Sequence, residues 1–369
     1  MAKRRKQDVA DNQGKMLVFI GSYAEAANSG VYVYQLDTES GALSQLDQVS
    51  GLQNPTFLSL DAKARKLYAI AEKLEDGQRK GAAVAFEIDS AAGKLTELNR
   101  SVTVNTSTCH IQRSADNRFF IVASYGGGQV GMVALQEDRT IGPLLDAKQH
   151  AGSSVHPERQ ERPHPHSAFF SPDQRFVFVP DLGMDRIVGY RIDAGAGKLE
   201  PHGETAVQPG AGPRHLVFHP NGKYVYVINE LDSTVTSFLY EASAGTMEKL
   251  EIVSTLPAGF EGENACAEIQ ISPDGKYVYG SNRGHDSIVV YAVDPDSGVL
   301  TPVDYTSTRG GHPRHFSLSP DGAFLIAANR DTDNLVVFRV DRSTGKLEFT
   351  GHTAQASKPV CVRMAVFAD

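Results

Sequence analysis

Four residues of this chain form a set able to do chemistry: His166, Arg214, Glu230 and Arg283. An imidazole and a carboxylate can exchange protons near neutral pH, and guanidinia can hold an anion. The set emerges from a comparison of the chain with itself. A turn residue recurs at Asp61, Asp116, Asp173, Asn221, Asp274 and Asp321. A fixed interval before it stand Asn54, Cys109, His166, Arg214, Ala267 and Arg314. A fixed interval after it stand Ile70, Tyr125, Leu182, Glu230, Arg283 and Arg330. The framework repeats while these positions differ, as expected of a site grafted onto a scaffold. Ion pairs between repeats would account for any one of them, but less readily for the set. Several Arg beside one Glu leave positive charge uncompensated, which suits an anionic ligand.

The elements that position this set are legible in two markers. A Gly-x-Leu-type turn recurs at Gly41, Gly93, Gly142, Gly197, Gly245, Gly298 and Gly345, a period of about 50 residues of the kind propellers show. In step with it run Ser171-Pro-Asp-Gln, His219-Pro-Asn-Gly, Ser272-Pro-Asp-Gly and Ser319-Pro-Asp-Gly, turn sequences by composition. Within one period, strands are expected at residues 215–219, 223–228, 234–240 and 248–254, rich in β-branched and aromatic residues. Helical periodicity is absent. The expected fold is therefore all-β: a seven-bladed β-propeller with four antiparallel strands per blade. Residues 359–366 read as an inner strand with no blade of their own, while 16–20, 30–36 and 43–49 read as a blade lacking its inner strand. The C-terminal strand should pair with 16–20 and close the ring. One propeller domain over 15–369 and a disordered polar, basic tail over 1–14 follow.

In this frame the first and second strands of each blade form a hairpin around the axis, so the set converges on one mouth of the central channel. Arg309, His312 and His315 are further candidates for that rim, and Glu268 lies one position beyond Ala267. A rim side chain supports no core, so replacing Arg214 is expected to leave thermal stability almost unchanged. Lys148 to Pro165 departs most from the repeat and holds His150, His156, Arg159, Gln160, Arg162 and His164. A lid or binding loop is expected there. A metal site at His156, His164 and His166 is disfavoured, because no HExxH, paired carboxylates or Cys ligands accompany them. Tyr125-Gly-Gly-Gly lacks the Gly-Lys-[Ser/Thr] ending of a phosphate-cradling loop.

Composition excludes whole classes of function. The 369-residue chain has 36 Lys+Arg against 44 Asp+Glu, a net charge of −8, which argues against a nucleic-acid partner. No apolar run is long enough to span a membrane. Cys109, Cys266 and Cys361 are odd in number and far apart, which excludes a disulfide framework and favours a reducing compartment. The basic Lys3-Arg4-Arg5-Lys6 is followed by too short an apolar run for a signal peptide. A cytoplasmic protein, monomeric or weakly homo-oligomeric, is expected. The absence of Trp removes the Trp-Asp signature of scaffold-type propellers.

Pro163-His-Pro-His-Ser, Gly212-Pro-Arg-His-Leu-Val-Phe-His-Pro-Asn-Gly, Val227-Ile-Asn-Glu-Leu and Ser281-Asn-Arg-Gly-His-Asp-Ser resemble the lactonase family of seven-bladed propellers. The resemblance covers nearly the whole chain after the tail. It implies a metal- and cofactor-free hydrolase acting on a small anionic lactone, 6-phosphogluconolactone foremost. The family's His, Arg, Glu and Arg site positions match His166, Arg214, Glu230 and Arg283, the set isolated by the repeats. On that footing Arg214 or Arg283 would stabilise an oxyanion, Glu230 would activate water, and His166 would protonate the leaving ring oxygen. A pKa lowered by neighbouring Arg would weaken Glu230 as a base, so a positioning role for it stays open. Arg159, Arg314, His315 and Glu268 would bind substrate. Two other readings remain: a muconate-type cycloisomerase using the same cationic mouth, and a non-catalytic propeller binding a small anion or a protein.

Overall fold

The computed structural model describes residues 14–368, and the proposed tail lies, up to residue 13, outside them. Strands fall into seven four-stranded antiparallel sheets. Counting from the sheet that joins both ends of the chain, the inner strands of blades 1 to 7 are Pro359–Phe367, Leu58–Asp61, His110–Arg113, Phe169–Phe170, Pro213–Phe218, Ala265–Ile271 and Pro313–Leu318. Blade 5 shows why the pattern reads as it does. Its second strand, Tyr224–Asn229, is buried throughout, because neighbouring blades cover both faces. Its outer strand, Thr246–Ser254, is mostly exposed and carries charge. Apolar clusters accordingly sit between blades, as where Phe176 and Phe178 of blade 4 meet Val225, Val227 and Phe238 of blade 5.

The two repeating turns have separate physical jobs. In the Ser-Pro-Asp turn, Ser272 Oγ donates to Asp274 Oδ1 at 2.6 Å and accepts from Tyr277 N at 3.0 Å. The divergent copy keeps this chemistry, Ser114 Oγ donating to Asp116 Oδ1 at 2.7 Å. The glycine turn joins adjacent blades. Gly298 has φ +72°, and a Cβ there would lie 2.4 Å from Cδ1 of Tyr224 in the preceding blade. Tyr226 Oη donates to Gly298 O at 3.0 Å. Gly345 repeats the arrangement with Tyr277 and Tyr279 one blade on. Only glycine combines the left-handed backbone with that closeness to a neighbouring ring.

Closure follows the expected pairing. Pro359–Phe367 pairs antiparallel with Lys15–Ser22, Met16 opposite Val366 and Ile20 opposite Val362. One expectation needs correcting. In blade 4 the regular inner strand is only Phe169–Phe170, and His166 precedes it next to an isolated Pro165–Asp181 bridge. Pro163 and Pro165 lack the N–H groups that a longer ladder needs. His166 is held instead by its own N–H, which donates to Pro180 O at 3.0 Å. No helix occurs among the described residues, and none is long and apolar enough to cross a membrane.

Candidate active site

The mouth of the channel is shaped by β-bulges. In blade 5, Pro213 pairs with Asn229 and His215 with Ile228, leaving Arg214 as the extra residue. Blade 7 does the same at Arg314, between Pro313–Asn329 and His315–Ala328. In blade 6 the register breaks between Cys266 and Ile269, across Ala267 and Glu268. Regular alternation would send consecutive side chains to opposite faces. The bulge lets both Arg214 and His215, and both Arg314 and His315, line the channel.

Glu230 is the hub. It follows Tyr224–Asn229 and is 5% exposed. Its Oε1 accepts from Arg159 Nη2 at 2.7 Å, and its Oε2 lies 3.1 Å from both Arg214 Nε and Arg283 Nη2. Arg214 also donates to Ala267 O at 2.7 Å, and Arg283 to Ala265 O and Cys266 O at 3.0 and 2.6 Å. Burial alone would raise the Glu230 carboxyl, but Arg283, Arg214 and Arg159 overcome it and hold it far below the usual range. Burial, with Arg314 and Arg283 beside it, pushes Arg214 down to about 9, opposed by Glu230 and Glu268.

His166 is 4% exposed and its Nδ1 has no hydrogen-bond partner. Burial first, then Arg214, His215, Arg314 and Arg283, lower its pKa well below the ordinary value, so the imidazole is neutral. This geometry departs from the roles expected of the pair. Glu230 is saturated by cations and a poor base, whereas His166 is a free base and at rest lacks the acidic proton of an imidazolium. Cys109, whose Sγ donates to His166 O at 3.1 Å, is raised to about 11 by burial and is no nucleophile at neutral pH.

The remaining candidates separate. Arg314 lies over the Tyr23 ring, 5.8 Å from its centroid, and has no ion pair among the described residues. Arg159 is committed to Glu230 and to Tyr125 Oη, 3.2 Å away. Glu268 and His315 stand one layer below the rim, not on it: His315 Nε2 is 2.8 Å and His215 Nδ1 3.2 Å from Glu268 Oε2. Arg309 stacks on Phe349 of an outer strand, away from the mouth. His312 pairs with Asp331 at 3.6 Å. The loop histidines shape the loop: His156 Nδ1 accepts from Arg159 N, and His164 stacks on Tyr125 with ring centroids 4.3 Å apart.

What anchors that loop escaped the sequence reading. Asp185 accepts from Gln160 Nε2 and Gly212 N at 2.7 Å each, and from Ser154 Oγ and Gly210 N at 2.5 and 2.6 Å. Asp181 accepts from His164 N at 2.7 Å and contacts His150 Nδ1 at 2.6 Å. Two Asp flanking a hairpin look like ordinary turn residues, and nothing local marks them as anchors.

Two spaces adjoin the hub. One, of about 20 Å³, is lined by His166, Arg214, Arg314, His315, Cys109 and Tyr23, which is room for a single water. The other is a groove of about 810 Å³ that includes Arg159, Arg283 and His312 in its wall. Among the described residues no group of three or more His, Cys, Asp or Glu is placed to hold a metal ion.

The buried neutral imidazoles carry a pH signature. Burial lowers His110, His166, His215 (to about 4) and His315 below their unfolded value near 6.5. Above that value both states are neutral and stability is unaffected. Below it the unfolded chain takes protons that the folded chain refuses, and each group removes about 1.4 kcal/mol per pH unit. Thermal midpoints measured from pH 7.5 to 5.5 should therefore fall progressively below about pH 6.5; a flat profile would mean these rings charge in place.

Comparison with known proteins places the chain in a family. Residues 17–364 match the family described as lactonase, 7-bladed beta-propeller. A protein of Bacillus subtilis named 6-phosphogluconolactonase is 38% identical over 302 residues, 82% of this chain and 84% of that protein. A 6-phosphogluconolactonase of Formosa agariphila is 34% identical, over 82% and 86%. Among solved structures, a Pseudomonas aeruginosa periplasmic gluconolactonase has TM-score 0.90 and 31% identity, covering 96% of this chain and all of that one. A putative 6-phosphogluconolactonase of Bacteroides fragilis has TM-score 0.88 and 30% identity, covering 97% and 100%. With the family matched across nearly all of its blades, the chain belongs to the seven-bladed β-propeller lactonases, carboxylic ester hydrolases that open lactone rings.

Proposed function

We propose that this enzyme hydrolyses a sugar lactone carrying a phosphate or carboxylate, 6-phosphogluconolactone foremost, the ring-opening step of the pentose phosphate pathway. The carrying observation is the neutral, unpartnered His166 beside a water-sized space walled by Arg214 and Arg314. Water there gives a proton to His166 as its oxygen bonds to the lactone carbonyl carbon. Arg314 and the free Nη2 of Arg214 face the developing oxyanion. The ring C–O bond then breaks, and the protonated imidazole returns its proton to the ring oxygen. Glu230 is a positioning residue that sets the three guanidinia in register. Arg159, on a loop and partly exposed, exchanges Glu230 for the anionic group of a substrate in the wide groove.

The three cysteines are unpaired, which supports a reducing cytoplasm as the compartment. Turnover of 6-phosphogluconolactone and of its unphosphorylated counterpart, each against buffer hydrolysis, tests the reading. The phosphorylated lactone should be preferred; no turnover of either would end it. The rim repels divalent cations by its excess of guanidinia, so the same assay after exhaustive chelation should give an unchanged rate. Loss of activity restored by one metal would overturn the Arg-based mechanism.

A further inference from the structure

The hydrolysis proposed above has a proton left over. Water supplies two; one ends on the ring oxygen, and the other comes off the new carboxylic acid, which is ionised at neutral pH. One proton must leave per turnover. Through the upper mouth it would pass Arg159, Arg214, Arg283 and Arg314, with substrate in the groove above. Below His166 the wall carries imidazoles and the Glu268 carboxylate, with Arg113 and Arg363 at the lower cavity. His215 is 1% exposed and lines both the water-sized space and a second cavity of about 630 Å³ at the opposite mouth. Its Nδ1 lies 3.2 Å from Glu268 Oε2, and its Nε2 has no partner.

Three imidazoles follow one another down the wall. The His166 and His215 rings are 5.4 Å apart between centroids, and the His215 and His110 rings 5.5 Å. His110, 1% exposed, lines the lower cavity; its Nδ1 accepts from Ala168 N at 3.3 Å and its Nε2 has no partner. Each of the three thus keeps a buried nitrogen without a hydrogen-bond partner, a costly arrangement in a site that only needs filling. The groups around His215 are Glu268 from blade 6, His315 and Arg314 from blade 7, Arg363 from blade 1, His110 from blade 3, His166 from blade 4, and Arg214 on its own strand. Glu268 is the one carboxylate among them and offsets Arg363 and Arg214 for a proton on His215.

We propose that His215, Glu268 and His110 form a proton exit from the reacting centre to the opposite mouth of the channel. The proton passes from the His166 layer to His215 beside Glu268, then to His110 and the water of the lower cavity. The acid O–H breaks as the first N–H forms, each imidazole gives up one N–H as it gains another, and the last N–H breaks as an O–H forms on water. The inference rests on the hydrolase reading, and wild-type turnover checks that reading separately.

The experiment is steady-state lactone hydrolysis by the full chain, with Glu268→Gln and His110→Ala, in weak buffer and again with added imidazole. Glu268→Gln keeps the shape and removes the charge. His110→Ala, at the lower cavity, leaves room for free imidazole. Both should lower kcat by about 10-fold or more while KM changes little, and imidazole should restore kcat in His110→Ala. Unchanged kcat in a folded variant, or a loss in His110→Ala that imidazole does not restore, would overturn the exit while leaving the hydrolase reading intact. A silent wild-type enzyme would remove both.

Discussion

Arg214→Ala is expected to lower kcat by about 10²–10³-fold, the usual effect of losing one oxyanion donor. It should also destabilise the fold, contrary to the expectation for an exposed rim side chain. Arg214 is 2% exposed, bonded to Glu230 and to Ala267 O, and so ties blade 5 to blade 6. Breaking a buried ion pair costs about 3–5 kcal/mol. The low end applies here, because Arg159 and Arg283 still hold Glu230. Arg214→Lys separates the two effects: it restores charge, and with it part of the stability, but not the forked geometry, so turnover should stay low. Single-turnover rates and denaturant midpoints on both variants decide the matter. Wild-type turnover in Arg214→Ala would dismiss the site; wild-type activity in Arg214→Lys would show that charge alone suffices.

Deleting residues 359–369 should abolish the cooperative fold. Val360, Cys361 and Val362 are 3%, 0% and 0% exposed, and Ala365 and Phe367 are also buried. At about 1.5–3 kcal/mol for each large apolar side chain, their loss is comparable with the whole net stability of a folded protein, about 5–15 kcal/mol. It also strips Lys15–Ser22 of its partner and exposes a row of unpaired backbone groups. Gel filtration should show oligomers or aggregates, and the melt should lose its single transition. A monomer melting like the full chain would mean that the closing strand is dispensable.

The architecture was readable because a propeller repeats its instructions. Glycine turns, Ser-Asp turns, three strands of a blade at one end and its inner strand at the other are local signals, and repetition separates them from chance. The site was readable only in outline. His166, Arg214, Glu230 and Arg283 stood out as departures from the repeat, and the fold brings Arg214, Glu230 and Arg283 into direct contact, with His166 across the same small space from Arg214. The depth of Glu268 and His315 was hidden, because period-two alternation cannot anticipate a bulge that turns two consecutive residues the same way. The proton roles were hidden as well. They depend on how many guanidinia reach Glu230, and one of those, Arg159, arrives from a loop that the repeat does not describe.

The closure between Lys15–Ser22 and Pro359–Phe367 also bears on the order of events in folding. Six blades, from Leu58 to Gln355, are each built from strands adjacent in the chain, so their hairpins join residues a few positions apart. Blade 1 alone waits for its two ends to meet across the whole chain. Loop-closure entropy grows with the logarithm of length, which adds about 2 kcal/mol over a contact within one repeat. Contacts of such long range form late. The first blade should therefore be the last to assemble, docking as a single event onto a ring that already holds Arg159, Arg214, Glu230 and Arg283 in their blades.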